Sequence, residues 1–381
     1  MSQRVNASVA PFPLDPPLST ADFDAPQLQS FEAQVAGHPS TVFRTRGGQI
    51  VVKRALPAEI RFYYTHLASS QDSQASSRLA PVELALLTPK CHGAVTLSEP
   101  DDSDSDEKSS SKKPLKAVIQ AAPLLPKLVN LNPSIELQTL DLADEANALV
   151  LENVLHGFVA PSVLDIKLGT QLWDESSTPE KRERMIKAAE TCTTAEFGAR
   201  LTGWQTWDEA QQRPFTVSKL YGKSILTKSE LEMGARIFFC SPRHPADTAK
   251  YNQVMGNDAS EKKKPVAALP SLPSELVHHV VVKGLIPQLA DIFNLVKDIE
   301  WRVRGGSVLL VYEGSQAALE HKLRTSPSNV ASFCKARLID FAHASFVPGQ
   351  GPDDGYVQGL QTAMELLQHV AAETAPIPNA S

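Results

Sequence analysis

One nine-residue run constrains this chain more than any other: Pro161-Ser162-Val163-Leu164-Asp165-Ile166-Lys167-Leu168-Gly169. Its apolar density, with a proline before it and a glycine after it, reads as a strand. Yet it carries a carboxylate and an ammonium two positions apart. Side chains at i and i+2 of a strand share a face, so Asp165 and Lys167 enter one cavity while Val163, Leu164, Ile166 and Leu168 pack around them. One of the pair is then free to accept from hydroxyls and the other to meet phosphate, as nucleotide-dependent phosphoryl transfer requires. Taken alone, such a pair is more often a solvated edge; the rest of the chain decides.

The 381 residues allow two or three domains, or one bilobal enzyme with floppy additions. The net charge of −6 argues against direct nucleic-acid binding and, as a mean field, repels polyphosphates, so an anionic substrate must meet a local basic cluster. No run approaches the roughly 18 apolar residues of a membrane span, and the N-terminus lacks a basic-then-apolar leader. An intracellular protein of the nucleus and cytoplasm is the expectation. Cys91, Cys192, Cys240 and Cys334 are scattered, without C-x-x-C pairs or histidine spacing, so neither a zinc site nor a disulfide framework is indicated.

Residues 1–30 are proline-rich and read as a disordered tail, as do residues 373–381. Thr41–Thr45 and Gln49–Lys53, joined by Arg46-Gly47-Gly48, give a hairpin signal, and Pro57 opens a helical stretch reaching Leu67 with Glu59 in its first turn. The acidic and serine-rich segment 99–113 has nothing apolar to bury and reads as a disordered insert; the segment 257–273, with Lys262-Lys263-Lys264, reads as a second. Between them Leu149–Val154 is a strand running into a connection.

Downstream, Thr178-Pro179-Glu180 has the hydroxyl cap, first-turn proline and acid of a helix start, and the helix runs to about Thr191. Lys181, Arg184 and Lys187 step three residues apart along it and form a basic flank over about 120°. With Lys167 and Lys219 this flank offsets a polyphosphate locally. Gly198–Trp207 and Phe215–Tyr221 read as paired strands, and Tyr221-Gly222-Lys223-Ser224 lacks the earlier glycine of a P-loop. Gly305–Gly314 is a strand entered through glycines. A second apolar run, Ala336–Ile339, delivers Asp340 to a strand end, where a carboxylate holds magnesium against nucleotide phosphates.

These blocks stand in an order that resembles the inositol polyphosphate kinase family, most closely its short fungal multikinases. They are Gln34–His38, Lys53, Leu151–Val154, the Pro161–Gly169 signature, Glu180–Met185, Lys219–Ser224, Gly306–Gly314 and Ile339–His343. The resemblance implies an α+β, two-lobed fold akin to protein kinases and ATP-grasp enzymes. Its lobes would be residues 31–157 and 158–372, with antiparallel sheets and a short helical substrate-binding insert about residues 174–195. It implies ATP and Mg2+ between the lobes. Lys53 would contact the phosphates, Glu152 and Val154 the adenine, Asp165 the ribose, and Ser307 the nucleotide and metal. Lys167 and Asp340 are the implied catalytic pair, Asp340 the metal ligand, and Lys167, Lys181, Arg184, Lys219 and His343 the inositol phosphate ligands. One departure stands out: Gly306-Ser307 replaces the family's usual pair of serines.

The short stretch between Gly169 and Lys219 leaves room for little more than one long helix and a hairpin, so an open site is expected, favouring a multikinase over a hexakisphosphate kinase. A scaffold acting on transcription factors or other proteins through the acidic insert is the alternative from a different class. The absence of an H-R-D loop and a G-x-G-x-x-G speaks against a protein substrate.

Overall fold

The computed structural model describes residues 29–30, 41–45, 47–63, 66, 81–97, 119–120, 146–209, 211–217, 219–240 and 272–376. The block at Gln34–His38, the acidic insert 99–113, the lysine run 262–264 and nearly all of both tails lie outside them.

Alternating and doubly apolar runs build two antiparallel sheets, one in each lobe. The first takes β1 (Gln29–Ser30), β2 (Val42–Arg44), β3 (Ile50–Arg54), β4 (Cys91–Leu97), β5 (Ile119–Gln120) and β6 (Ala148–Glu152), in the order β1-β2-β3-β6-β4-β5. The expected hairpin is β2–β3, with Val42 opposite Lys53. Directly after β3, α1 (Pro57–Phe62) starts on its proline and buries Glu59, Ile60 and Phe62. The rest of that helical expectation, to Leu67, falls largely outside the described residues.

The second sheet comprises β7 (Pro161–Leu168), β8 (Ala199–Asp208), β9 (Arg213–Val217), β11 (Ser307–Glu313) and β12 (Cys334–Ile339), ordered β12-β11-β7-β8-β9. Between β7 and β8 lie α2 (Pro179–Glu190) and a short α3 (Thr194–Phe197). After β9 come α4 (Lys219–Lys223) and α5 (Lys228–Cys240), then α6 (Ser274–His279) and α7 (Ile286–Val296). The small pair β10 (Trp301–Val303) and β13 (Ala344–Phe346) brackets the sheet's end, α8 (Gln316–Thr325) follows β11, and α9 (Asp354–Thr374) closes the fold.

Register fixes what each face of this sheet presents. Leu164, Ile166, Leu168, Val308, Leu310, Ala336 and Leu338 point one way, into a core shared with α5, α7 and α9. Burying each of the larger side chains contributes about 1.5–3 kcal/mol. The opposite face carries Val163, Asp165 and Lys167 on β7, paired with Val311, Leu309 and Ser307 on β11, and beyond them Lys335, Arg337 and Ile339 on β12. That face is the floor of the cleft. Gly359 lets α9 pass directly against the start of β8: a Cβ there would stand 2.1 Å from the Gly198 carbonyl oxygen.

One expectation needs correction. Phe215–Tyr221 is not one strand; β9 ends at Val217 and Lys219–Lys223 is helical. Val217, Tyr221 and Ile225 recur every four residues and are all buried, a helical period, and Tyr221 packs edge-on against Trp204 at 5.7 Å. The helical stretch Ser274–Val296 has the length and mean hydropathy of a membrane-crossing helix, but Glu275, His278, His279, Lys283 and Asp291 interrupt its apolar residues. Here Val277, Val280, Val281, Leu285, Leu289, Ile292 and Val296 are its inward stripe in the protein core. A π-helical turn, Val280–Leu285, interrupts it just before Pro287, which cannot donate in a regular ladder.

Candidate active site

Lys167 stands at the centre of the cleft floor. Its Nζ donates to the Gly305 carbonyl (2.8 Å) and to Ser307 Oγ (3.2 Å), and lies 3.5 Å from Asp340 Oδ2. Two residues back on β7, Asp165 is 2 % exposed and accepts from Thr202 Oγ1 at 3.0 Å and from the Ser307 hydroxyl. The Thr202 contact comes from a bulge. Asp165 pairs with Gly203 but Ile166 with Leu201, which leaves Thr202 as the extra residue turned onto the carboxylate. Gly306, the departure from the family pattern, has a packing cause: a Cβ there would meet Val303 Cγ1 at 2.5 Å. Of these two positions, Ser307 alone carries a hydroxyl.

Asp340 follows the last residue of β12 with φ of +66°, a backbone region that non-glycine residues seldom occupy. The turn sets its carboxylate between two ammonium groups, with Oδ1 2.7 Å from Lys53 Nζ and Oδ2 facing Lys167. Lys53 in turn reaches Glu59 Oε1 at 2.7 Å, and the same oxygen accepts from the Phe341 backbone N–H at 3.3 Å. Glu59, almost fully buried, therefore holds the lysine of the first lobe and the residue after Asp340 in the second. Sequence reasoning saw it only as a helix-start acid. Its role depends on a contact across 282 positions, for which the chain carries no local signal.

The electrostatics follow from this packing. Burial raises the Asp340 carboxyl, but Lys53 and Lys167 outweigh it and hold the group below the ordinary carboxylate range. Burial works against the Lys53 charge, and Asp340 and Glu59 more than restore it, so this ammonium sits well above the usual lysine value. Asp165 goes the other way: burial raises it, and Lys167 compensates only in part.

At the other end of the cleft β6 stops at Glu152, whose carboxylate lies 3.5 Å from Lys335 Nζ. Val154 follows, buried with Val163 and Val311 and flanked by Leu155, Phe158 and Leu309. This small apolar patch beside the backbone that leaves β6 is the right chemistry for a flat aromatic base.

The insert meets the cluster through His343, whose Nδ1 is 3.2 Å from Asp174 Oδ2. Asp174 Oδ1 also accepts from the Ser176 backbone N–H (3.0 Å), Ser176 Oγ (2.6 Å) and Ser177 Oγ (3.1 Å). The Ser176 hydroxyl foremost, then Ser177, Lys181 and His343, keep that carboxyl below its usual value despite burial. Thr178 caps α2 by accepting from the Lys181 N–H, and Arg182 stacks on Trp173 at 4.0 Å. Lys181 is half-buried, while Arg184 and Lys187 are exposed. Lys219 opens α4, but its side chain lies outside the described residues. Arg200, not singled out from sequence, is the cross-strand neighbour of Lys167 and adds a cation to the same row.

Among the described residues no three His, Cys, Asp or Glu side chains gather as a ready metal cage. A single carboxylate at Asp340, open to the cleft at 33 % exposure, suits a hard cation that takes its remaining oxygens from phosphate and water. Lysines, one accessible carboxylate and a buried carboxylate that accepts from hydroxyls together have the chemistry to meet a polyphosphate and a sugar.

Comparison with known proteins agrees. The model of the family described as inositol polyphosphate kinase matches residues 148–368, more than half of the chain. The inositol polyphosphate multikinase of Saccharomyces cerevisiae is 25 % identical over 88 % of this chain and 96 % of its own length. That of Schizosaccharomyces pombe is 27 % identical over 56 % of this chain and 65 % of its own length. Rattus norvegicus inositol hexakisphosphate kinase 1 is 26 % identical over 59 % of this chain, and the match spans about half of that longer protein, 52 %. In fold, the chain resembles the crystal structure of a Saccharomyces cerevisiae inositol phosphate multikinase in complex with ADP and Mn2+, with a TM-score of 0.50 and 24 % identity over 84 % of this chain and 98 % of that one. The chain belongs to the inositol polyphosphate kinase family.

Proposed function

We propose that the protein is an ATP- and Mg2+-dependent inositol polyphosphate multikinase that converts inositol 1,4,5-trisphosphate to tetrakis- and pentakisphosphate at the 6- and 3-hydroxyls. The observation that carries this reading is the meeting of Lys53, Asp165, Lys167, Ser307 and Asp340 in one cleft, from both lobes. The near-complete coverage of the yeast multikinase supports the same branch.

In this reading the base lies against Val154, Leu309 and Val311, with the backbone of Glu152 and Val154 at its polar edge. Asp165, kept in place by Thr202 and Ser307, accepts from the ribose. Lys53 binds phosphate and Lys167 neutralises the group being transferred. Asp340 holds the metal, aided by Ser307. Magnesium, when bound, neutralises phosphate charge and orients it for in-line attack. Lys181, Arg184, Lys219 and His343 hold the inositol phosphate on the insert side, with Arg200 next to Lys167. Positioning and charge neutralisation suffice for this chemistry, and no covalent nucleophile is required.

The shortness of the insert supports an open pocket in which the sugar binds in more than one orientation. A panel of inositol phosphates incubated with purified protein and Mg-ATP tests the reading. Tetrakis- and pentakisphosphate from the trisphosphate are expected. Pyrophosphate formation from the hexakisphosphate without trisphosphate use would make it a hexakisphosphate kinase instead. A nuclear and cytoplasmic location, and protein partners of the acidic insert 99–113, belong to the same proposal. Deletion of that insert should leave turnover intact.

A further inference from the structure

The connection from the first sheet to the second runs from Glu152 to Pro161, and its two halves are tied to different lobes. Asn153 anchors the first half. Its N–H donates to the Gln49 carbonyl (2.8 Å) and its Nδ2 to that of Gly48 (2.6 Å), both in the β2–β3 turn, while its Oδ1 accepts from Leu155 N–H (3.1 Å) and its carbonyl from His156 N–H (2.9 Å).

Glu313 anchors the second half. It ends β11, is fully buried, and accepts from Val159 N–H on Oε2 and Ala160 N–H on Oε1, both at 2.9 Å, and from Ser315 N–H at 3.3 Å. Its charge is met by Lys322 of α8 at 2.5 Å. The same ammonium donates to the Gly157 carbonyl at 3.0 Å and stands 4.9 Å over the Phe158 ring. The two sets of ties meet at Gly157, in the left-handed region at φ +88°, where glycine turns without strain.

A buried carboxylate is costly unless paired and fully hydrogen-bonded, and this one gives one contact on each oxygen to the connection, while the Lys322 ammonium that pairs with it also reaches the connection at Gly157. We propose that Glu313 and Lys322 are positioning residues for the nucleotide. At the end of β11 away from Ser307, they fix the connection so that the Glu152–Val154 backbone and the Val154–Phe158 apolar patch stand where the base docks. This inference rests on the ATP reading given above.

Steady-state kinetics with each substrate varied in turn tests it. Lys322→Met, which withdraws the ammonium and leaves the Glu313 acceptors, should raise the nucleotide KM roughly tenfold, equivalent to about 1.4 kcal/mol. The inositol phosphate KM and kcat should stay within about twofold. Lys322→Arg should restore most of the loss, and hydrogen exchange at the Val159 and Ala160 amides should quicken in Lys322→Met alone. Should Lys322→Met not fold, Lys322→Gln, which keeps a donor toward Glu313, is read by the same criteria. An unchanged nucleotide KM in the folded variant, or equal loss toward both substrates, overturns the inference. A wild-type protein that turns over no inositol phosphate instead overturns the kinase reading, and amide exchange still decides whether the clamp exists.

Discussion

The cleft floor and the basic helix both present cations, yet they are built in opposite ways. On the floor, Lys53, Lys167, Asp340, Asp165 and Ser307 bind one another through hydrogen bonds and strand register; Asp165 and Ser307 are buried, and Lys53, Lys167 and Asp340 are half-buried. On α2, Arg184 and Lys187 are exposed, and Lys181 lies near the Asp174 carboxylate. Preorganised groups held by one another act on the transition state, whereas exposed cations without such ties supply binding at a distance. Rate should therefore reside in the floor and substrate preference in the helix.

The strongest way to break that division is Lys167→Ala, which should lower kcat about 10²- to 10³-fold, the cost of losing one positioned electrostatic contact. Near-native circular dichroism should accompany the loss, since Lys167 serves ligands rather than packing. Next in size is Glu59→Gln, which keeps the shape and removes the charge that orients Lys53. Hydrogen bonds to charged groups contribute about 1.5–3 kcal/mol, so turnover should fall roughly 10- to 100-fold, read from kcat/KM for ATP. On the helix, Lys181→Ala or Arg184→Ala should raise the inositol phosphate KM by a few-fold, about 1 kcal/mol or less, with kcat preserved. An equal fall in kcat would erase the distinction between the two regions.

An effect of similar size concerns stability and has a definite sign. The Asp165 carboxyl is raised in the folded protein, so the unfolded chain releases that proton first. Its contribution to stability therefore declines as pH rises from about 4 through the folded value. Asp165→Asn removes this penalty and should stabilise the unliganded protein at neutral pH by about 0.5–2 kcal/mol while weakening nucleotide binding. The Asp340 carboxyl, held low, does the reverse. Its stabilisation is present above about pH 4 and is lost as pH falls through the folded value. Thermal melts of wild type and Asp165→Asn across acid and neutral pH should diverge as pH rises; parallel curves would contradict the burial argument.

Much of this was legible from local pattern. The period-two run at Pro161–Leu168 and the apolar approach to Asp340 gave the strands on which the cluster sits, and the cap at Thr178 gave α2 to within a residue. The α+β, two-lobed fold came from the order of the motifs. What stayed hidden depends on distance along the chain or on tertiary packing. Glu59 and Thr202 act through partners on other elements, the second through a bulge that only pairing creates. The helix at Lys219–Lys223 was misread because its strand-like composition masked a four-residue spacing of buried positions.

The most direct test of the central claim compares wild-type protein and Asp340→Asn with Mg-ATP and inositol 1,4,5-trisphosphate, resolving products over time. Tetrakis- and then pentakisphosphate should accumulate with wild type and fall by about 10²-fold or more with the variant. Wild-type rates from Asp340→Asn would show that the two lobes do not converge on a nucleotide and its metal at this carboxylate.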